Sequence, residues 1–291
     1  MTFGLNKRLV GAVGAIALTG GTVAVTTPAE AATGTLAYTC TVPLQGLKQF
    51  TAVADTDAPQ RIAYGETIAP AVTGTITFPE DVTRTLRDDV GAKKVDGKAE
   101  VAATVDGVAR PWTLVVPQTN VPPNGSLVLT GTGPAGTFAG DKVGTVYDVA
   151  VGDFTATINN YQANGAPTTI LPTAVVPCTL NAGQDPAVDT IKVVKDRTTT
   201  AVTPKQFRQG AKARAKVKVV AEHGKTVKGK IKAKLLRNGK VLQAKVLSLR
   251  DGQRRVTFLR LRNGGTYTVK AKYLGNQNFK GSSAMVKVNA G

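Results

Sequence analysis

Apolar and polar positions alternate with a period of two through most of this chain. Leu36, Tyr38, Cys40 and Val42 share one face of a first predicted strand. A second run covers 50–55 and closes at Ala58-Pro59. A third covers 72–78 and stops at Pro79. Asp106-Gly107 separates the runs 99–105 and 108–116, which predicts a hairpin. Pro122-Pro123-Asn124-Gly125 sets a turn before a strand at 127–130. The runs 146–151 and 154–159 read as a further hairpin around Gly152-Asp153. Helical periodicity is nearly absent. The exception follows Pro79, where Glu80 and Asp81 suit a helix N-terminus and Val82, Leu86 and Val90 recur at i, i+4, i+8. The pattern predicts an all-β chain.

Alternation is sharpest in the last hundred residues. Lys212, Arg214, Lys216 and Lys218 occupy every even position of an otherwise apolar run from Ala211 to Val219. Lys228, Lys230, Lys232 and Lys234 alternate with Gly229, Ile231, Ala233 and Leu235. Lys270 and Lys272 alternate with Val269, Ala271 and Tyr273. A period of two sends the basic side chains outward and the apolar ones into a core. Asn238-Gly239 marks a tight hairpin turn. About seven strands in about a hundred residues fit a β-sandwich. The segment 181–189 holds Gly, Pro and two acids without an apolar pattern, and reads as a linker. The expected organisation is a leader at 1–31, a β-sandwich at 32–180, a linker at 181–191 and a basic Ig-like sandwich at 192–291.

Charge sharpens that division. The whole chain carries +18, yet residues 191–291 hold 17 Lys and 9 Arg against only Asp196, Glu222 and Asp251, a net +23. Residues 32–190 hold 9 basic and 15 acidic residues, a net −6. The positive charge belongs to one unit and argues for an anionic partner.

Lys7-Arg8, the apolar small-residue stretch 9–25 and Ala29-Glu30-Ala31 have the form of a secretory signal with its cleavage site. An uncleaved membrane anchor is the competing reading. No later segment is long and apolar enough to span a bilayer. Cys40 and Cys178 are the only cysteines. An even count in an exported chain favours a disulfide over two buried thiols. Such a bond would tie the first strand of its domain to the last. Two thiols and a single histidine do not make a structural zinc site.

The second unit resembles bacterial Ig-like repeats of exported and surface proteins. The resemblance rests on Thr198-Thr199-Thr200, Val227-x-Gly229-x-Ile231, Asn238-Gly239, Val256-x-Phe258, Gly264-Gly265-Thr266-Tyr267 and the ending Tyr273-Leu274-Gly275-Asn276-Gln277-Asn278-Phe279 with Ser282-Ser283. It implies a sandwich in which Tyr267 takes the tyrosine-corner position. The departure is charge, because such repeats are usually near neutral. The first unit resembles an uncharacterised domain of exported actinobacterial proteins. The matching residues are Tyr38-Thr39-Cys40-x-x-Pro43, Phe50, Asp55-x-Asp57-Ala58-Pro59, Val121-Pro122-x-x-Gly125 and Pro177-Cys178-Thr179-Leu180 with Gly183-Gln184-Asp185. That resemblance implies location and architecture, not chemistry.

Motifs for catalysis are missing. His223, in Ala221-Glu222-His223-Gly224-Lys225, is the sole histidine and reads as an exposed turn residue. No nucleophile elbow, P-loop or zincin motif occurs. The pairs Asp55/Asp57, Glu80/Asp81 and Asp88/Asp89 are local and read as solvated acids of turns and helix ends rather than a glycosidase pair. Asp55-x-Asp57 is a possible start of a calcium loop, but no further ligands follow. Trp112 reads as core, with a sugar-stacking platform as the alternative. No catalytic, metal or cofactor residue is assigned. The expected function is non-enzymatic. The basic residues named above bind a polyanion, with an anionic wall polymer expected first and lipid headgroups or extracellular DNA as alternatives. A soluble spacer without a partner is the competing reading.

Overall fold

The computed structural model describes residues 32–291. The signal-like leader lies outside the described residues. The architecture is all-β, as expected, with one short helix.

The first unit opens with β1 (Leu36–Val42), β2 (Gly46–Thr56), β3 (Arg61–Ala63), β4 (Thr67–Ile68) and β5 (Ala71–Thr77). Helix α1 (Glu80–Asp88) follows. It buries Val82, Thr83 and Leu86, and Val90 packs just beyond its end. Next come β6 (Lys94–Val105), β7 (Val108–Ala109), β8 (Trp112–Asn120), β9 (Val128–Pro134), β10 (Phe138–Ala139), β11 (Val146–Tyr161), β12 (Thr173–Leu180) and β13 (Ala187–Val194). Eight strands form a closed ring in the order β11-β12-β1-β2-β5-β9-β8-β6, and β6 pairs back onto β11. The two layers of the sandwich are therefore joined at both edges. Closure abolishes the unpaired edges that an open sandwich must protect. The seam between β8 and β9 is one pair, Val115 with Thr132. Glycine permits that approach, since a Cβ on Gly133 would stand 2.1 Å from the Thr113 carbonyl oxygen.

The Asp106-Gly107 hairpin forms, with both residues at positive φ (52° and 74°) and Val105 opposite Val108. The expected hairpin at Gly152-Asp153 does not. β11 runs straight through as a bulge, with its register against β6 shifting between Val151 and Phe154. The strand pairs with β13 before this point and with β12 after it. Asp153 accepts a bond from the Leu180 amide (2.8 Å) instead of closing a turn.

The linker reading is also corrected. Residues 187–194 form β13, antiparallel to β11 and parallel to β3. Val188, Ile191 and Val193 join the first core. A register shift opposite Val149/Ala150 turns both Val188 and Asp189 inward, which hides the alternation in the sequence. The first unit thus runs to Val194.

The second unit contains β14 (Thr198–Gln206), β15 (Lys212–Ala221), β16 (Lys230–Arg237), β17 (Lys240–Ser248), β18 (Gln253–Arg260), β19 (Gly265–Tyr273) and β20 (Ser282–Ala290). Seven strands make a three-on-four sandwich, β14-β15-β18 against β17-β16-β19-β20. Val217, Ile231, Leu235, Phe258, Val269 and Tyr273 fill its centre. Asn238 and Gly239 form the predicted turn, at φ 50° and 77°. Tyr267 donates its hydroxyl to the Asn263 carbonyl (2.7 Å), the hydrogen bond of a tyrosine corner.

Candidate functional site

Period-two patterning places the lysines on two outward faces. On the four-stranded sheet, Lys232 lies directly opposite Lys272, and Lys234 directly opposite Lys270. Lys230 continues the row along β16, and Lys287 lies opposite Thr268 on β20. Two exposed apolar residues flank the quartet. Val246 sits beside Lys232 from β17, and Met285 beside Lys270 from β20. Directly opposed side chains stand about 5 Å apart at Cβ, and like charges there are destabilising.

The three-stranded sheet repeats the arrangement. Lys216 faces Arg255 and Lys212 faces Arg260, while Arg214 and Lys218 face Thr257 and Gln253. Arg255 and Arg260 were not singled out from the sequence. The signal was present, since buried Val256 and Phe258 set Arg255 and Thr257 on the outer face of β18. Among the described residues no lysine or arginine of the second unit forms an ion pair.

Lys228 departs from the pattern. It precedes β16, with Gly229 at φ 129° between it and Lys230, and it is exposed like Lys230. Its backbone has a structural part as well. Its carbonyl accepts bonds from the Tyr273 hydroxyl (2.8 Å) and the Asn276 side-chain Nδ2 (2.9 Å).

The disulfide forms as expected between Cys40 and Cys178, which are partners in the β1–β12 ladder with Cα atoms 4.0 Å apart. It joins the first strand to the last but one, because β13 follows. Trp112 is core, 2 % exposed, with its indole N–H donated to the Ala135 carbonyl (3.2 Å). The acid pairs serve locally. Asp81 pairs with Lys48 (2.5 Å), which holds its carboxyl below the usual range, and Asp88 pairs with Arg87 (2.8 Å) to the same effect. Asp57 accepts the Ala71 amide (2.7 Å).

Two relationships cross long sequence distances and were invisible in the sequence. The first is a buried carboxylate. Asp189 is 5 % exposed and accepts the Thr56 hydroxyl, yet its Oδ1 has no partner, and neither has the buried Oδ1 of Asp55. Burial is the main cause raising the Asp189 pKa. The Thr56 bond opposes it and the Asp55 charge adds to it. The second is the junction of the units. Tyr64, just past β3, meets Phe279 edge-on at 5.4 Å between ring centroids. His223 is not an exposed turn residue. Its Nδ1 lies 2.9 Å from Oδ1 of the fully buried Asp196, and its Nε2 lies 3.9 Å from Glu66 of the first unit. The Asp196 bond raises the His223 pKa.

The model of DUF6801, a family of unknown function, matches residues 37–189. The chain belongs to this family. Its match ends inside β13, so the DUF6801 region is the closed ring with its disulfide, and the basic unit lies beyond it. No curated protein matches the chain. Solved structures are remote. A Bacteroides uniformis β-glucuronidase is 10 % identical, covering 76 % of this chain and 26 % of that one, at a TM-score of 0.24. The FN1–FN3 domains of chicken CNTN1 are 12 % identical, covering 91 % and 96 %, at 0.24. A GH2 β-galacturonidase from Eisenbergiella tayi is 10 % identical, covering 90 % and 42 %, at 0.20. The chain therefore spans about a quarter of the first enzyme and two fifths of the second. Among the described residues no helix is long and apolar enough to cross a membrane.

Proposed function

We propose that this is an exported, non-enzymatic protein whose basic unit holds it in the cell envelope by binding anionic wall polymers. The DUF6801 unit is then presented at the surface for a partner of its own. The observation that carries the reading is the pair of opposed lysine couples, Lys232/Lys272 and Lys234/Lys270. Solubility needs scattered charge. It does not need like charges set face to face on adjacent strands, where they cost stability. A polyanion lying across the sheet reverses that cost, since each phosphate-like group sits between two ammonium groups. The second basic face suits a flexible polymer that wraps, and less a single discrete ligand. Outward aromatic residues are sparse, which argues against base stacking as the main mode. The signal-like leader and the disulfide support export.

Co-sedimentation of the full chain with purified cell walls, across a salt series, tests the proposal. Binding that needs the anionic polymers and fades with salt is the expected result. Equal competition by duplex DNA would instead assign a general polyanion binder. An absence of binding at low salt would leave the spacer role.

A further inference from the structure

A second site lies at the junction, independent of the basic faces. One oxygen of Asp196, one of Glu222 and one ring nitrogen of His223 all lie within 4.8 Å of one another. Asp196 is fully buried, and among the described residues His223 is its only charged partner. Buried charges of this kind are paired or bind a metal. The backbone at Asp196 is pinned on both sides. Its amide donates to the Asn278 carbonyl (3.0 Å) and its carbonyl accepts the Lys280 amide (2.8 Å). The His223 amide also reaches Asp196 Oδ2 (3.2 Å), so the carboxylate and the imidazole hold each other in place.

A further observation comes from the first unit. The Nδ1 of His223 faces Asp196, while Nε2 turns to Glu66 Oε2 at 3.9 Å. A histidine bound to a metal through one nitrogen commonly directs its other N–H at a carboxylate, which fixes its tautomer. Glu66 stands on that outer side, 3.9 Å away and beyond direct hydrogen-bond reach, with its Oε2 also accepting the Ala63 amide (2.6 Å). We infer that Asp196, Glu222 and His223 form a site for one divalent transition-metal ion, with zinc the best fit, and that Glu66 orients the histidine from across the junction. One imidazole and two carboxylates suit zinc better than calcium, which takes oxygen ligands alone. Ligand atoms on one tetrahedral zinc sit roughly 3.4 Å apart. With the metal between them, His223 Nδ1 and Asp196 Oδ1, now 2.9 Å apart, open to that spacing, and rotation of the exposed Glu222 brings its carboxylate to the third position. The fourth position stays open to water. Metal binding in this place ties the start of the second unit to the end of β3 in the first.

The test is zinc titration of the untagged full chain by calorimetry, with nitrogen-15 NMR of the single histidine. The expected result is one zinc per chain and a shift at His223 Nδ1. His223→Gln should abolish binding. Glu222→Gln should weaken it at least tenfold, and Glu66→Gln by about tenfold, the usual cost of losing an outer partner. Glu222 is exposed and its side chain forms no hydrogen bond among the described residues, so its variant keeps the fold and the His223–Asp196 pair. Zinc affinity unchanged in Glu222→Gln, no binding at all, or calcium bound in preference to zinc would each overturn the assignment.

Discussion

Lys232 and Lys272 face each other across the β16–β19 ladder, with Lys234 and Lys270 repeating the pairing one row along. Among the described residues no carboxylate pairs with any of the four. Replacing all four by Thr should therefore move stability and binding in opposite directions. Stability should rise by about 1 kcal/mol for the two relieved pairs. Urea denaturation measures that gain. Duplex DNA, used as a probe polyanion, should bind more weakly, with the slope of log affinity against log salt reduced by up to about 3.6. A variant that gains stability and keeps its affinity would remove these lysines from the binding surface.

The Cys40–Cys178 bond closes a loop of 138 residues. Chain entropy alone assigns about 5 kcal/mol to a loop of that length, and real bridges often deliver less. The double Ala variant should lose about 3–5 kcal/mol of stability in the first unit and leave the second unaffected. Two separable unfolding transitions, of which only one moves, are the expected readout.

Asp189 sets a pH dependence with a definite sign. Its folded pKa is raised, chiefly by burial. The protonated form is thus favoured in the folded chain. This contribution is complete below the unfolded value near 4 and is lost as pH rises through the folded value. The ion-paired carboxylates of Asp81 and Asp88 are shifted the other way. Comparison of the wild type with Asp189→Asn isolates the effect. The variant should gain stability relative to wild type as pH rises from 4 toward neutrality, measured by denaturant midpoints. A difference that stays constant with pH would show that Asp189 titrates alike in both states.

Tyr267 tests the tyrosine corner. Its hydroxyl bond to Asn263 is the only hydrogen bond of this side chain among the described residues, and the residue is 2 % exposed. Tyr267→Phe should cost about 1 kcal/mol. Arg237 stacks over the same ring, 5.6 Å from its centroid. Arg237→Ala should therefore be non-additive with Tyr267→Phe in a double-mutant cycle.

Much of this was legible in the sequence because it depends on local period. The alternation of 211–219 and 228–235 located the basic faces, Asn238-Gly239 located the β16–β17 turn, and Asp106-Gly107 located the β6–β7 turn of the first unit. What failed was also local in kind. A bulge leaves the same trace as a turn, so Gly152-Asp153 read as a hairpin. Two inward residues in a row masked β13, so a core strand read as a linker. Ring closure depends on β6 meeting β11 across 40 or more residues, and no period records that. The junction groups are further still from local pattern. Glu66 and His223 meet only because β3 runs parallel to β13 and delivers Tyr64 and Glu66 to the second sandwich.

The two units are joined by residues 195–197 alone, between the end of β13 at Val194 and the start of β14 at Thr198. Three residues reach at most about 11 Å. Such a tether gives the first unit no radius in which to search. Wherever the basic sandwich adheres, the DUF6801 ring rests within one molecular diameter of that layer. On the proposed reading, any molecule that the ring engages must arrive at the layer or already be part of it.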